Sequence, residues 1–238
     1  MRRSLRGGLG ICGLVCGALI GAAAANAAVP LTEVINDPFG NPQSQHATAV
    51  EPDTFAFGST IVAVSQVGRY FDGGASSTGF ATSTNGGASW TSGVLPNLTV
   101  HQNPAVQYER ATDPVIAFDP LHNVWLAQSL VLNEEGSLRG SGILVSRSTD
   151  GGLTWSNPVP SAEATGNQDF DKNWIVCDTH ADSPFFGRCY QTRDDFGNGN
   201  RLLQNFSTDG GSRGAPRSRR ATTPPGSAAS RSCSPTAT

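Results

Sequence analysis

The sequence is poor in lysine, in helix patterns and in long apolar runs. Lys172 is the single lysine in 238 residues. Apart from a stretch near the start, no segment approaches the roughly 20 apolar residues that a membrane span requires. There is no glycine-rich phosphate loop after a strand, no G-x-S-x-G elbow and no H-E-x-x-H helix. Those absences remove the commonest nucleotide-binding, serine-hydrolase and zinc-protease chemistries. The four histidines, His46, His101, His122 and His180, are scattered over separate loops, a poor pattern for a metal centre. All 19 acidic residues lie between Glu33 and Asp209, against eight basic ones in that stretch, a balance of −11. A surface of that sign repels nucleic acid and anionic membranes, so neither is an expected partner.

The two ends differ from the body. Residues 1–27 read as a secretory signal: Arg2, Arg3 and Arg6, an apolar run at 11–25, then Ala25-Asn26-Ala27 as a cleavage site. A membrane anchor is the alternative, but the Gly/Ala-rich run with its A-x-A site favours export. The expected location is secreted or periplasmic, with no membrane attachment after cleavage. Residues 28–46 are rich in Pro and Asn and read as an extended lead-in.

What is present is a repeat. Ser148-Thr149-Asp150-Gly151-Gly152-Leu153-Thr154-Trp155 has an earlier copy, Ser83-Thr84-Asn85-Gly86-Gly87-Ala88-Ser89-Trp90, and a broken later one, Ser207-Thr208-Asp209-Gly210-Gly211. The starts are 65 and 59 residues apart, room for one four-stranded sheet plus long loops. The chemistry is that of a tight turn: Asp or Asn bonds the backbone two residues on, and paired glycines supply positive φ. The tryptophan then returns over the turn as an apolar plug.

Around each copy the pattern is short, β-branched and apolar. Strands are expected at 54–57, 60–67, 79–83 and 90–95, then at 114–118, 124–131, 142–148 and 154–159. A third unit is expected at 173–177, 188–192 and 202–207. This is an all-β pattern, and one small sheet per repeat favours a propeller over a sandwich.

The octet resembles the Asp-box, S-x-D-x-G-x-x-W, of the sialidase-like β-propellers, also called BNR repeats; Asn85 stands where the motif has Asp. The run Asp171-Lys172-Asn173-Trp174-Ile175-Val176, with Ser183-Pro184 and Gly187-Arg188-Cys189-Tyr190, also looks like segments of secreted bacterial Asp-box proteins. The resemblance covers residues 51–211 and implies about three blades of a six-bladed ring, an incomplete β-propeller at 47–211. Its box residues are Ser83, Asn85, Gly87 and Trp90; Ser148, Asp150, Gly152 and Trp155; Ser207, Asp209 and Gly211. In that family the boxes sit on the face opposite the active site.

The resemblance also implies a glycan as ligand or substrate. For an exo-acting sialidase it implies an arginine triad on the sugar carboxylate, a Tyr nucleophile with its Glu, and an Asp acid/base. The family's Arg-Ile-Pro motif is absent, and Arg69 in Val67-Gly68-Arg69-Tyr70 is the nearest counterpart. The other arginines and the Tyr/Glu pair belong to later blades.

Arg69, Asp72, Glu109-Arg110 and Asp113 are the candidates for a pore-mouth cluster; the plainer reading is a solvated loop with an Arg–carboxylate pair. No cofactor is expected. Asp169 and Asp171, or Asp194 and Asp195 with Asn198 and Asn200, offer oxygen ligands for Ca²⁺, but their spacing matches no EF-hand and exposed acidic loops explain them as well. Cys177 and Cys189 sit on two adjacent expected strands, and in an exported protein a disulfide across the hairpin is favoured over two reduced buried thiols.

After Gly211 the character changes to Ser, Arg, Pro and Ala without acids, and residues 212–238 read as a disordered basic tail or as a shifted reading frame. Restoring one G to the run encoding Gly210-Gly211 gives, with suitable synonymous codons, GLTWGAPVTAGDNATGLGGQPVVQPDGN. The third octet then becomes STDGGLTW, identical to the second, and every restored codon can end in G or C. A frameshift is the expectation, and with it a chain lacking half its ring and its activity.

Overall fold

The computed structural model describes residues 31–134 and 136–213 and the backbone of 219–220. The expected signal at 1–27, Cys12, Cys16, Cys233 and most of the tail lie outside these residues. All the strands fall in one unit that begins at Glu33.

Among the described residues, twelve strands form three antiparallel meanders. The first is β1 (Ala49–Phe57), β2 (Thr60–Arg69), β3 (Ala75–Ser83) and β4 (Thr91–Val94). The second is β5 (Arg110–Asp119), β6 (Val124–Glu134), β7 (Leu138–Ser148) and β8 (Val159–Glu163). The third is β9 (Phe170–Cys177), β10 (Cys189–Asp195), β11 (Arg201–Ser207) and β12 (Arg219–Arg220), with a 3₁₀ turn at Phe196–Asn198. A single bridge, Ala75 with Ala111, joins the first meander to the second. The first strands β1, β5 and β9 lie side by side in that order, so they are the inner strands of successive propeller blades.

The sheets stack through apolar faces. Val62, Val64 and Phe80 of the first blade pack against Ile116, Phe118 and Trp125 of the second. On the opposite face of the second blade, Val115, Ala117 and Leu126 meet Ile175 and the Cys177–Cys189 pair of the third. Every one of these side chains is less than 9% exposed. Residues of the lead-in cover the outer side of the first blade, where Ile35 is buried against Ala63, Val67 and Ala81.

The inner strands begin earlier than the sequence suggests. Each starts before a residue with positive φ, Glu51 (52°), Asp113 (44°) and Lys172 (42°), and the ladder shifts register beside it. A β-bulge admits one extra residue, so pairing resumes on its far side. The fourth strand of the second blade is β8 rather than 154–159. Ser156 first returns its backbone N–H to the Arg147 carbonyl at 2.8 Å, and Pro158 has none to give. The tail also departs from expectation: Arg219–Arg220 pairs with Leu203–Gln204, the place β4 and β8 hold in their sheets.

Candidate functional site

The two ends of the sheets differ in chemistry. One end carries the octet turns between third and fourth strands. The other carries the starts of β1, β5 and β9 and the turns between second and third strands.

At the octet end the three turns share one geometry. The hydroxyls of Ser83, Ser148 and Ser207 donate to Oδ1 of Asn85, Asp150 and Asp209 at 2.9, 2.8 and 2.7 Å. The serine Oγ atoms in turn accept from the N–H of Gly87, Gly152 and Gly211 at 2.8, 2.8 and 2.9 Å. Asp150 also accepts from the N–H of Leu153 and Thr154 and from the Thr154 hydroxyl. Slight burial works to raise its pKa, but the donors of Thr154, Ser148 and Leu153 outweigh it and hold the carboxyl down to about 2. Asn85 keeps the geometry with one polarity reversed, donating from Nδ2 to Ser89 Oγ at 2.9 Å. Trp90 Nε1 donates to the Gly87 carbonyl at 3.1 Å, and Trp155 packs edge-on to Phe80 at 5.8 Å between centroids.

At the other end the expected cluster divides into two. Arg110, its side chain 6% exposed, donates from Nη1 to Asp72 Oδ1 and from Nη2 to Glu134 Oε2, both at 2.7 Å, and to the Gly73 carbonyl at 2.9 Å. Its guanidinium lies 4.2 Å from the Tyr70 ring centroid. The Tyr70 hydroxyl accepts from Asn41 Nδ2 at 3.2 Å and shares a 2.8 Å hydrogen bond with His101 Nε2. The Arg110 hydrogen bond holds the Asp72 carboxyl below its ordinary range, while burial, then the Arg110 cation, lowers His101. Arg110 is thus engaged by two carboxylates. Arg69 stands apart: its N–H donates to Thr48 Oγ1 at 2.9 Å, and among the described residues its side chain makes no ion pair.

Asp113 belongs with two residues the sequence did not single out. Glu51, Asp113 and Lys172 are each the first of the two residues left between paired positions at the bulge, between Val50 and Asp53, Thr112 and Val115, and Asp171 and Trp174, so they are equivalent across the three blades. Lys172 Nζ is 3.7 Å from Asp113 Oδ2, and Thr112 donates to Asp113 Oδ1 at 2.9 Å. Gln66 donates to Glu51 and, at 2.7 Å, to Thr112. Partial withdrawal from water raises the Glu51 pKa, and the Asp113 charge, with a hydrogen bond between the two carboxyls, raises it further. A left-handed non-glycine residue costs about 1–2 kcal/mol, and three at equivalent positions beside one cleft are the kind of strain that gathers at functional sites. The cleft, about 310 Å³, is lined by Pro52, Asp53, Pro114 and Trp174 besides these three. One signal was legible in advance: Glu51-Pro52 and Asp113-Pro114 repeat an acid–proline pair before an apolar inner strand.

The calcium candidates are tied to backbone and amide donors. Asp169 Oδ1 accepts from Gly140 N at 2.8 Å, Asp171 Oδ1 from Lys172 N at 2.8 Å, and Asp195 Oδ2 from Asn198 Nδ2 at 2.9 Å. Burial, then the Asp171 charge, raises Asp194. Asn200, like the bulge residues, has positive φ. Among the described residues no group of three or more His, Cys, Asp or Glu is arranged to hold a metal. Cys177 and Cys189 do form the expected disulfide, directly across β9 and β10. Among the described residues no helix is long and apolar enough to cross a membrane.

No family model and no curated protein matches the sequence. Solved structures match it in fold. The intramolecular trans-sialidase from Ruminococcus gnavus superposes with a TM-score of 0.53 at 14% identity, over 79% of this chain and 63% of that one. The α-L-arabinanase of Penicillium chrysogenum gives 0.51 at 13%, over 82% and 56%. The α-L-arabinofuranosidase of Fusarium graminearum gives 0.50 at 14%, over 79% and 52%. The chain has a sialidase-like β-propeller fold, and it spans between 52% and 63% of the length of these three structures.

Proposed function

We propose that this chain is the first part of an exported Asp-box propeller that binds or processes glycans, and that in this form it is not catalytic. The supporting observation is the Ser–Asp/Asn–Gly turn repeated at the same place in three successive sheets. The boxes brace one end of the blades and leave the other for a ligand, the division of labour on which propeller sites rest. The disulfide favours an oxidising compartment. A sialidase-type site needs a free cation for the sugar carboxylate, and Arg110 is already paired with Asp72 and Glu134. In this reading further blades are encoded in the shifted frame, because the restored sequence completes the third box as STDGGLTW.

The fold likeness to a trans-sialidase favours a second reading. In it the intact protein is an exo-acting glycoside hydrolase of the exo-α-sialidase type, with its arginine triad and Tyr/Glu pair downstream of Gly211. Sequencing the gene across the G run, then expressing the restored frame, tests both. A downstream frame with further boxes supports the propeller, and an uninterrupted frame without them rejects it. Release of 4-methylumbelliferone from its N-acetylneuraminic acid glycoside by the restored protein would select the second reading.

A further inference from the structure

We propose that Asn85 is a site of spontaneous deamidation, gated by opening of the first octet turn, and that the aspartate formed is held there as Asp150 is held in the second. The inference concerns the turn itself and needs neither a bound glycan nor a further blade.

Asn85 is followed by Gly86, and both are exposed. Glycine has no Cβ to keep its nitrogen from the asparagine side chain, and a Cβ at Gly86 would meet nothing within 4 Å, so a five-membered ring has room to form. In the reaction the Gly86 nitrogen bonds to Asn85 Cγ and gives its proton to water, while the Cγ–Nδ2 bond breaks and Nδ2 leaves as ammonia. Water then adds at Cγ and breaks the new Cγ–N bond, which restores the peptide and leaves a carboxyl group. The closed turn blocks the first step. Gly86 N–H donates to the Ser59 carbonyl at 2.8 Å, and Asn85 Oδ1 accepts from Ser83 Oγ and from the Ser89 N–H, both at 2.9 Å. Nucleophile and electrophile are released together only when the turn opens.

The closed turn is already arranged for the product. Ser89 N and Oγ stand to Asn85 as Thr154 N and Oγ stand to Asp150. Thr154 donates its hydroxyl to Asp150 Oδ2, whereas Ser89 Oγ accepts from Asn85 Nδ2 at 2.9 Å. With oxygen in place of Nδ2, the Ser89 hydroxyl need only rotate its hydrogen to donate instead. The donors of the turn then meet a full negative charge, and charge-assisted hydrogen bonds are the stronger kind. Asn198-Gly199 is the same dipeptide in the opposite setting. Asn198 Nδ2 donates to Asp195 Oδ2 at 2.9 Å, so a carboxylate at 198 would face another one.

The full chain and the frame-restored chain are incubated in mildly alkaline buffer, with and without urea. The peptide carrying Asn85 is followed by mass spectrometry for exchange of an amide NH2 for OH. Rates are read on whichever chain melts cooperatively, which keeps poor folding of the shorter one from deciding the outcome. In the folded protein Asn85 converts about tenfold more slowly than in urea. Ser83→Ala, which removes two hydrogen bonds from the closed turn, speeds the folded reaction about fivefold and leaves the rate in urea unchanged. Asn85→Asp slows amide exchange at Gly87 and Ser89 about fivefold, and Asn198→Asp lowers the melting temperature. Equal rates with and without urea, no conversion of the folded protein, or unslowed exchange in Asn85→Asp overturns the inference.

Discussion

Thr82 of the first blade donates its hydroxyl to the backbone carbonyl of Gly152, in the octet turn of the second blade, at 2.6 Å. One blade further on, Arg147, which like Thr82 immediately precedes its octet, donates from Nε to the Gly210 carbonyl at 2.7 Å. The turns therefore do more than reverse the chain: the second and third also clip their sheets to the preceding ones. The close approach needs glycine. A Cβ at Gly152 would lie 2.8 Å from Val62 Cγ2 and 2.9 Å from Thr82 Oγ1, whereas one at Gly86 meets nothing within 4 Å.

Gly152→Ala and Gly86→Ala separate packing from backbone strain, because both positions have positive φ, 84° and 69°. Gly86→Ala is expected to cost about 1 kcal/mol, the price of a left-handed alanine. Gly152→Ala adds displacement of Val62 and Thr82 and is expected to cost about 3 kcal/mol. Urea denaturation of the two variants checks this, and equal losses would remove the clipping role.

Asp150 gives a pH signature. Its folded pKa of about 2 lies below the unfolded carboxylate value, so its contribution is fully present above that value. It is lost as pH falls from about 4 toward 2. The side chain is largely exposed, and after allowance for solvent screening Asp150→Asn is expected to cost about 1 kcal/mol at pH 7. That difference should shrink to near zero at pH 2. Paired denaturation curves at both pH values test it, and a gap that persists in acid would mean that geometry rather than charge matters.

The Cys177–Cys189 disulfide closes a 12-residue separation. Loop-closure entropy assigns such a bridge about 3 kcal/mol. The double Cys→Ala variant, or the reduced protein, should lose that amount and open the third blade first, which hydrogen exchange on β9 and β10 would register.

Arg110 and its partners show what could be foreseen and what could not. Asp72 was legible as a partner because an acid beside an arginine loop suggests a pair. Glu134 was not, since it sits at the end of β6 and reaches Arg110 only through the β5–β6 register, and Tyr70 was not, since its ring meets Arg110 only once the first and second sheets stack. The octets were legible because their chemistry is local, confined to eight residues. The bulges were hidden for the opposite reason: a charged residue with positive φ reads as loop, and only cross-strand pairing reveals it as part of a strand. Arg110→Ala is expected to destabilise by about 1–3 kcal/mol, mainly through the packing its buried side chain makes against Tyr70, because Asp72 and Glu134 are more than half exposed and water screens their repulsion. Asp72→Asn should cost far less, because Glu134 still compensates the cation. Thermal melts of the two variants give the ordering, and a reversed order would place the energy of the cluster elsewhere.

The rear face of the third blade carries the last prediction. Val176 and Tyr190 stand where Ala117 and Leu126 stand in the second blade. Ala117 and Leu126 are 3% and 1% exposed beneath the third blade, but Val176 is 52% exposed, with Leu202 at 49% and Phe206 at 42% on the same sheet. Contiguous apolar surface of this kind promotes association, and unpaired sheet edges add to it. This chain alone is therefore expected to be poorly soluble. Val176→Lys with Leu202→Glu should raise its soluble yield severalfold with little loss of stability, because neither side chain is buried. In a closed ring the same positions are covered, so the identical pair of substitutions should destabilise the frame-restored protein by about 2 kcal/mol or more. Soluble yield for the first and denaturant midpoint for the second give opposite signs if a further blade packs on this face. Substitutions neutral in the restored protein would show that the face stays exposed.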